Sequence, residues 1–388
     1  MTAPSALPTP LVGPAFSSYP GVDVEWLLTD ISERDIETTG LTRERALQGG
    51  AAHYSESLPV ERRPTDEYLA LYDVLLHETA ARVALAVATV ADAIYSARAG
   101  APVLVSLARA GTPAGILIKR WLRFAHNVDV PHYTMSIILD RGIDSVAIDY
   151  LLDRFDAGRL IFVDGWTGKG TISSELRNSL DRLAGERGDR GAVPAADLAV
   201  IADPAGFATI AGTRDDILIA SACLNSTVSG LVSRTVMNAE LIAPGQFHGA
   251  KFYRALAADD RSHGFLDAVE AHFPAIDRDV LIGGEPSDRV HPNNPLEPTR
   301  AESEFRRIMT MHSVAERAFV KPGIGETTRV LLRRVPDFVL VRKAGMPSLR
   351  HIEVLAAQRG VRVVVDSELL FSSVGVIRSV REKEADAL

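Results

Sequence analysis

Apolar residues recur at helical spacing between Tyr68 and Ser96, at Leu71, Leu75, Val83, Val87, Val90 and Ile94. That spacing predicts one long helix or a helix pair. Downstream the period changes. "PVLVSLA" (102–108), "HYTMSIIL" (132–139), "RLIFVD" (159–164), "DLAVIAD" (197–203) and "DILIASA" (216–222) are short apolar runs that read as strands. "GTPAGILIKRWLRF", a stretch near 143–155 and "SELRNSLDRLAGE" read as the helices between them. Buried strands alternating with helices predict an α/β fold, a parallel sheet covered on both faces.

The pattern breaks at "GGEPSDRVHPNNPLEPT" (283–299), where Pro, Gly and Asn predict an interdomain loop. A helix is expected near 300–319. The remainder reads as strands at 329–334 and 338–342, a helix at 349–358, a strand at 361–365 and a last apolar piece at 374–377. This is a small α/β module. The expected organisation is a loose N-terminus (1–20), a body with a helical extension (21–285), a linker and helix (286–320) and the module (321–388).

Composition adds little to this frame, but charge does. The chain has 388 residues and a net charge of −8. From Lys321 onward there are 12 Lys/Arg against 8 Asp/Glu, a local charge of +4, whereas the first 320 residues carry −12. A basic tail on an acidic body suits an anionic partner, and a solvated basic face explains it equally. One cysteine, Cys223, excludes an internal disulfide and any zinc-ribbon pattern. No Lys or Arg precedes Arg34, so the start does not read as a signal peptide. The apolar run Val83–Tyr95 is too short to span a bilayer. A cytoplasmic protein without a membrane partner is expected.

Candidate chemistry gathers at two strand–loop–helix junctions. In "IFVDGWTGKGT" a strand ends in Asp164, and Gly165, Thr167, Gly168, Lys169, Gly170 and Thr171 follow. Amides at a helix N-terminus, with glycines that leave them bare, suit a phosphate. Each charge-assisted bond contributes about 1.5–3 kcal/mol. Lys169 is separated from Thr171 by Gly170, so the P-loop pattern fails, as does G-x-G-x-x-G. The turn is similar to the phosphoribosyl-diphosphate (PRPP) loop, with one acid where two adjacent acids are usual. An ordinary tight βα turn is the competing explanation. The earlier junction, "LVSLARAGTPAG", offers Ala108, Arg109, Ala110, Gly111 and Thr112 for a diphosphate. Ligands of open α/β sheets bind at such strand ends.

"SACLNSTVSGLVSRT" (221–235) supplies a different chemistry. Cys223 at a turn is a candidate nucleophile, with His248 of "GQFHGAKFY" as its base and Asn225 or Asp203 to orient the imidazole. A buried structural thiol is the alternative. No H-E-x-x-H or other metal pattern occurs, so no metal site is expected in the chain itself.

"HYSESLP", "SLARAGTPAG", "VDGWTGKGT", "SACLNSTVSGLVSRT", "FHGAKFY" and "KPGIGETTRVLLRR" together resemble the phosphoribosyltransferase-like family of bacterial tellurite-resistance (Ter) stress operons. That family is also named StiP cysteine protease. The resemblance implies a sheet of type I phosphoribosyltransferase-like topology and a C-terminal Pelota-type RNA-binding domain. It implies transfer of ribose from PRPP with Mg2+ to a nucleobase-like or amide acceptor, with Asp164 on the ribose and Arg109 on the pyrophosphate. Under the other family name Cys223 and His248 carry peptide hydrolysis. A third expectation is nucleotide and RNA binding without catalysis, with Arg329, Arg333, Arg334, Arg342 and Lys343 on RNA phosphates. A homodimer is compatible with each.

Overall fold

A computed structural model describes residues 7–38, 53–61, 63–188, 191–277 and 296–378, without the side chains of 296–298 and Arg333. The expected interdomain loop at 283–299 therefore lies mostly outside the described residues.

The body is built on a six-stranded sheet. Its strands are β1 (Glu25–Trp26), β2 (Val103–Leu107), β3 (His132–Met135), β4 (Leu160–Trp166), β5 (Leu198–Ala202) and β6 (Ile210–Thr213). The order is β1-β3-β2-β4-β5-β6, and every pairing is parallel. Strands β2 and β5 are buried throughout, as continuous apolar runs require when both faces are covered. The mixed α/β architecture expected from the sequence is present.

Helix α1 (Asp66–Ala97) lies on one face. Thr65 caps it by accepting from the Tyr68 amide at 3.3 Å, and Asp66 and Glu67 favour its positive end. It runs 32 residues, beyond the 83–95 run, and is long and apolar enough to cross a membrane by length and composition. Tyr72, Val83, Val87, Val90 and Ile94 are instead packed in the core. Helix α2 (Gly111–His126) shares that face, while α3 (Ser145–Leu152) and α4 (Thr171–Arg187) bury residues in a second cluster with the strands. Gly115 lets α2 sit directly on β2 and β3: a Cβ there would lie 2.2 Å from the Ser106 hydroxyl oxygen and 2.3 Å from His132 Nε2. Helix α5 (Ser262–Glu270) packs against α1 and α2.

The N-terminus is less loose than its Pro/Ser/Ala content predicts. Phe16 and Tyr19 are fully buried, and the Tyr19 hydroxyl donates to the Val228 carbonyl at 3.1 Å. The expected strand at 216–222 is also absent. Residues Ala220–Cys223 form a short 3-10 turn below α1, because β6 already occupies that sheet edge.

The C-terminal module has α6 (Leu296–Met311), β7 (Val320–Pro322), α7 (Ile324–Arg333), β8 (Pro336–Val341), α8 (Arg350–Gln358), β9 (Arg362–Val365) and β10 (Ser373–Ile377). Its sheet runs β7-β10-β8-β9, with β8 and β9 parallel and the other pairs antiparallel. The run expected as a strand at 329–334 is the end of α7. Its helical period starts upstream at Ile324 and turns Thr327, Val330 and Leu331 inward. Gly375 of β10 admits that helix, since a Cβ there would stand 3.1 Å from Val330.

Candidate functional site

The loops after β2 and β4 meet above the sheet. A Cβ on Gly111 would lie 2.4 Å from the Val163 carbonyl oxygen, and one on Gly165 would lie 3.2 Å from that of Ala110. This close approach brings Arg109 and Asp164 into one neighbourhood. Arg109 adopts φ 83°, a left-handed conformation unusual for a side chain of its size. Among the described residues its guanidinium makes no hydrogen bond, and burial lowers its pKa. Burial also raises the Asp164 carboxyl to about 6, against a hydrogen bond from the Gly165 amide at 2.7 Å. Two amides expected to hold diphosphate are already paired: Ala108 N donates to the Met135 carbonyl at 2.9 Å, and Thr112 N to that of Arg109 at 3.0 Å. The Thr112 hydroxyl is bonded to that of Thr134 at 3.1 Å.

The turn after β4 is less open than the sequence suggests. Thr167 N donates to the Ala202 carbonyl at 3.1 Å. Gly168 faces the Pro322 carbonyl oxygen, 2.7 Å from where a Cβ would stand. Gly170, at φ 70°, lies under the Phe207 ring, and Thr171 opens α4. Lys169 Nζ donates to the Arg317 and Val320 carbonyls at 3.2 and 3.3 Å. The module's first strand thus covers the turn expected to seat a phosphate.

Two more contacts fix that cover. Asp216 accepts from Ile324 N at 3.0 Å and Ser372 N at 2.8 Å. Arg329 of α7 stacks 4.5 Å over the Trp166 ring and pairs with Glu326 at 3.0 Å. Sequence reasoning missed Asp216 and Trp166, because their partners lie 100 residues or more away in the module; it also missed Glu326, whose partner Arg329 is three residues on in α7. A cavity with room for about one water, of about 10 Å³, remains between the parts. Arg109, Ser221, Asn225, Ser229 and Arg329 line it, and the buried Asn225 Oδ1 has no hydrogen-bond partner among the described residues.

Cys223 is 1% exposed, in the same turn as Ser221. Burial pushes its thiol up to about 12. The Tyr68 hydroxyl donates to its carbonyl at 3.1 Å, and α7 packs against the turn. His248 stands elsewhere. Its Nδ1 is 2.8 Å from the Ser136 hydroxyl oxygen, whose proton goes to Thr235 Oγ1 at 2.7 Å. Ser136 therefore accepts from Nδ1, leaving Nε2 as the imidazole's acceptor. Burial lowers its pKa, against the nearby Asp144 carboxylate. The Asp144 carboxylate holds the His248 amide at 2.6 Å and caps α3. His248 lines an open cleft of about 790 Å³ with Glu56, Arg141, Asp144, Asn238 and Gln246, a wall that does not include Cys223. The expected pairing of Cys223 with His248 is not formed. Neither expected orienting residue reaches the imidazole: Asp203 accepts from the Gly206 and Ala208 amides at 2.9 and 2.7 Å and pairs with Arg214.

Of the basic residues expected on RNA, Arg329 is engaged as above, Arg342 Nε donates to the Leu369 carbonyl at 2.9 Å, and Lys343 is exposed. The Arg333 side chain lies outside the described ones. Among the described residues no group of three or more His, Cys, Asp or Glu could hold a metal ion.

Fold and site together define a parallel α/β body whose strand ends are closed by a C-terminal α/β module, with one buried thiol at the seam. The chain belongs to the StiP family: residues 17–270 match the family described as tellurite-like stress resistance cysteine protease StiP. Residues 299–379 match the PELOTA RNA binding domain. The cysteine protease StiP of Acinetobacter baylyi (strain ATCC 33305 / BD413 / ADP1) is 31% identical over 379 residues, covering 94% of each chain. These findings overturn ribosyl transfer from PRPP as the main reading, since both the family and the relative are named for cysteine protease chemistry. The covered turn gives a physical reason: the bare backbone that resembles a phosphate loop is bare because β7 and Phe207 press on it.

Proposed function

We propose that this chain is a cysteine peptidase with Cys223 as its nucleophile, latent in the conformation described, joined to an RNA-binding module. One observation carries the assignment: Cys223 is the sole cysteine in the sequence of a chain belonging to a family named for that chemistry, and it lies within the matched body. The thiolate attacks a peptide carbonyl, the amine leaves with a proton, and water hydrolyses the thioester. A thiol near 12 supplies almost no thiolate at neutral pH. Turnover therefore requires the packing of α1 and α7 on the Cys223 turn to open and a base to reach the sulfur. His248 keeps Nε2 as an acceptor and fills that role only if it and the Cys223 turn come together.

The test is proteolysis of unfolded casein by the full chain and by Cys223→Ser. Turnover lost in the variant supports the assignment. Turnover retained by the variant assigns the nucleophile elsewhere. If neither protein cleaves under any condition that labels the thiol, RNA binding without catalysis becomes the better description. RNA binding rests on the match of residues 299–379 and the local charge of +4. Retention of a labelled oligonucleotide at low salt checks it, and loss of retention as salt rises is expected.

A further inference from the structure

Arg109 has a conformation and a charge that the fold does not use. Its φ of 83° is strained for a residue with a side chain, and such strain collects at ligand sites. Among the described residues its guanidinium has neither a hydrogen bond nor an ion pair. Glu61, a carboxylate whose charge reaches it, is bonded instead to the Ser226 amide and hydroxyl at 3.2 and 3.0 Å. A partly buried cation without a partner is costly, and an arriving anion removes that cost.

The small cavity lined by Arg109 and Arg329 is where such an anion would lie. Glu326 already meets the Arg329 charge at 3.0 Å, so the unmet positive charge on this wall is that of Arg109. Ala110 and Pro113 add the positive end of α2. The same wall holds an unmet acceptor, the buried Oδ1 of Asn225. Ser221 and Leu224, also on it, bracket Cys223 in the sequence. Of the lining residues only Arg329 belongs to the module, so a departing α7 leaves the rest as an open groove beside the thiol.

We propose that this groove is a specificity subsite of the peptidase, taking an acidic residue of the substrate. Arg109 pairs with its Asp or Glu carboxylate, and Asn225 Oδ1 accepts a backbone N–H of the same peptide. The proposal rests on the assignment of Cys223 as the nucleophile and adds the class of residue recognised beside it. A peptide fits because it brings both partners that the wall lacks, an anion and a donor. A fully ionised phosphate brings acceptors alone and would set oxygen against Asn225 Oδ1.

The experiment measures covalent labelling of Cys223 in the full chain by two tetrapeptide acyloxymethyl ketones that differ only in ending with Asp or Asn. Mass spectrometry reads the rate, and iodoacetamide serves as the probe without a peptide. The Asp probe is expected to label about ten- to hundredfold faster than the Asn probe. Arg109→Gln should bring that ratio close to one, and Arg109→Lys should keep part of it. A preference retained in Arg109→Gln overturns the role of Arg109. A wild-type ratio near one overturns the subsite without recourse to any variant, while labelling by both peptides spares the peptidase reading. No labelling by either peptide, whether or not iodoacetamide reaches the thiol, overturns the subsite and the peptidase reading together.

Discussion

The Asp216 carboxylate of the body accepts the backbone N–H of Ile324, the first residue of α7, at 3.0 Å. Its other oxygen holds Ser372 N, so a single side chain ties two segments of the module to the body. Replacing it with alanine leaves buried amides without acceptors, a loss of about 1–3 kcal/mol each when no water replaces them. Asp216→Ala is therefore expected to loosen the module and to speed labelling of Cys223 by iodoacetamide. Unchanged labelling with an unchanged melting temperature would show that the seam is held elsewhere.

In the wild type the thiol itself should be unreactive. A rise from 9.0 to about 12 lowers the thiolate fraction about a thousandfold at neutral pH. Iodoacetamide labelling of the folded chain is expected to be slower than that of free cysteine by that order, and to become normal in denaturant. A native rate equal to that of free cysteine contradicts the buried thiol.

His248 bonds to Ser136 and is absent from the turn that holds Cys223. His248→Ala should therefore leave the resting labelling rate of Cys223 unchanged within about twofold, since no charge pair with the thiol is lost. A tenfold fall would place the imidazole against the sulfur in solution.

Asp164 carries a stability signature in pH. Its folded carboxyl is raised from 3.8 to about 6, so the folded chain binds more proton than the unfolded one between those values. The sign follows: this group contributes stability at low pH, and the contribution is lost as pH rises through about 6. Asn keeps the acceptor for the Gly165 amide but cannot ionise. Asp164→Asn is expected to gain in melting temperature relative to wild type on going from about pH 4.5 to about pH 7.5. A gap that stays constant across this range removes the assigned shift.

Gly168 and Gly325 mark two close approaches between body and module. A Cβ on Gly168 meets the Pro322 carbonyl oxygen at 2.7 Å, and one on Gly325 meets the Trp166 indole at 2.7 Å. Alanine at either site should destabilise the chain by about 1–3 kcal/mol in denaturant unfolding. No loss at either position would mean that the two parts sit farther apart than described.

The body's strands at 103–107, 132–135, 160–166 and 198–202 were legible because each is a short apolar run bounded by polar turns. Helix α1 was legible because its buried positions keep one helical period over 32 residues. The run at 216–222 misled because local apolarity cannot tell a strand from a buried turn when the sheet edge is already taken. The Gly/Thr turn misled for a related reason. Glycine leaves backbone open to whatever comes close, and sequence does not say whether that is a phosphate or the carbonyl of Pro322.

By itself the sequence determined the alternating α/β plan, the local charge of +4 from Lys321 onward and the single thiol. Each follows from local period, composition or count. Only the tertiary structure decided that Cys223 and His248 lie in different surroundings, that Asp216 holds Ile324 and Ser372, and that Lys169 crosses to the module's carbonyls. Those relations join residues up to 156 positions apart. Burial and long-range packing create them, and no local pattern encodes either.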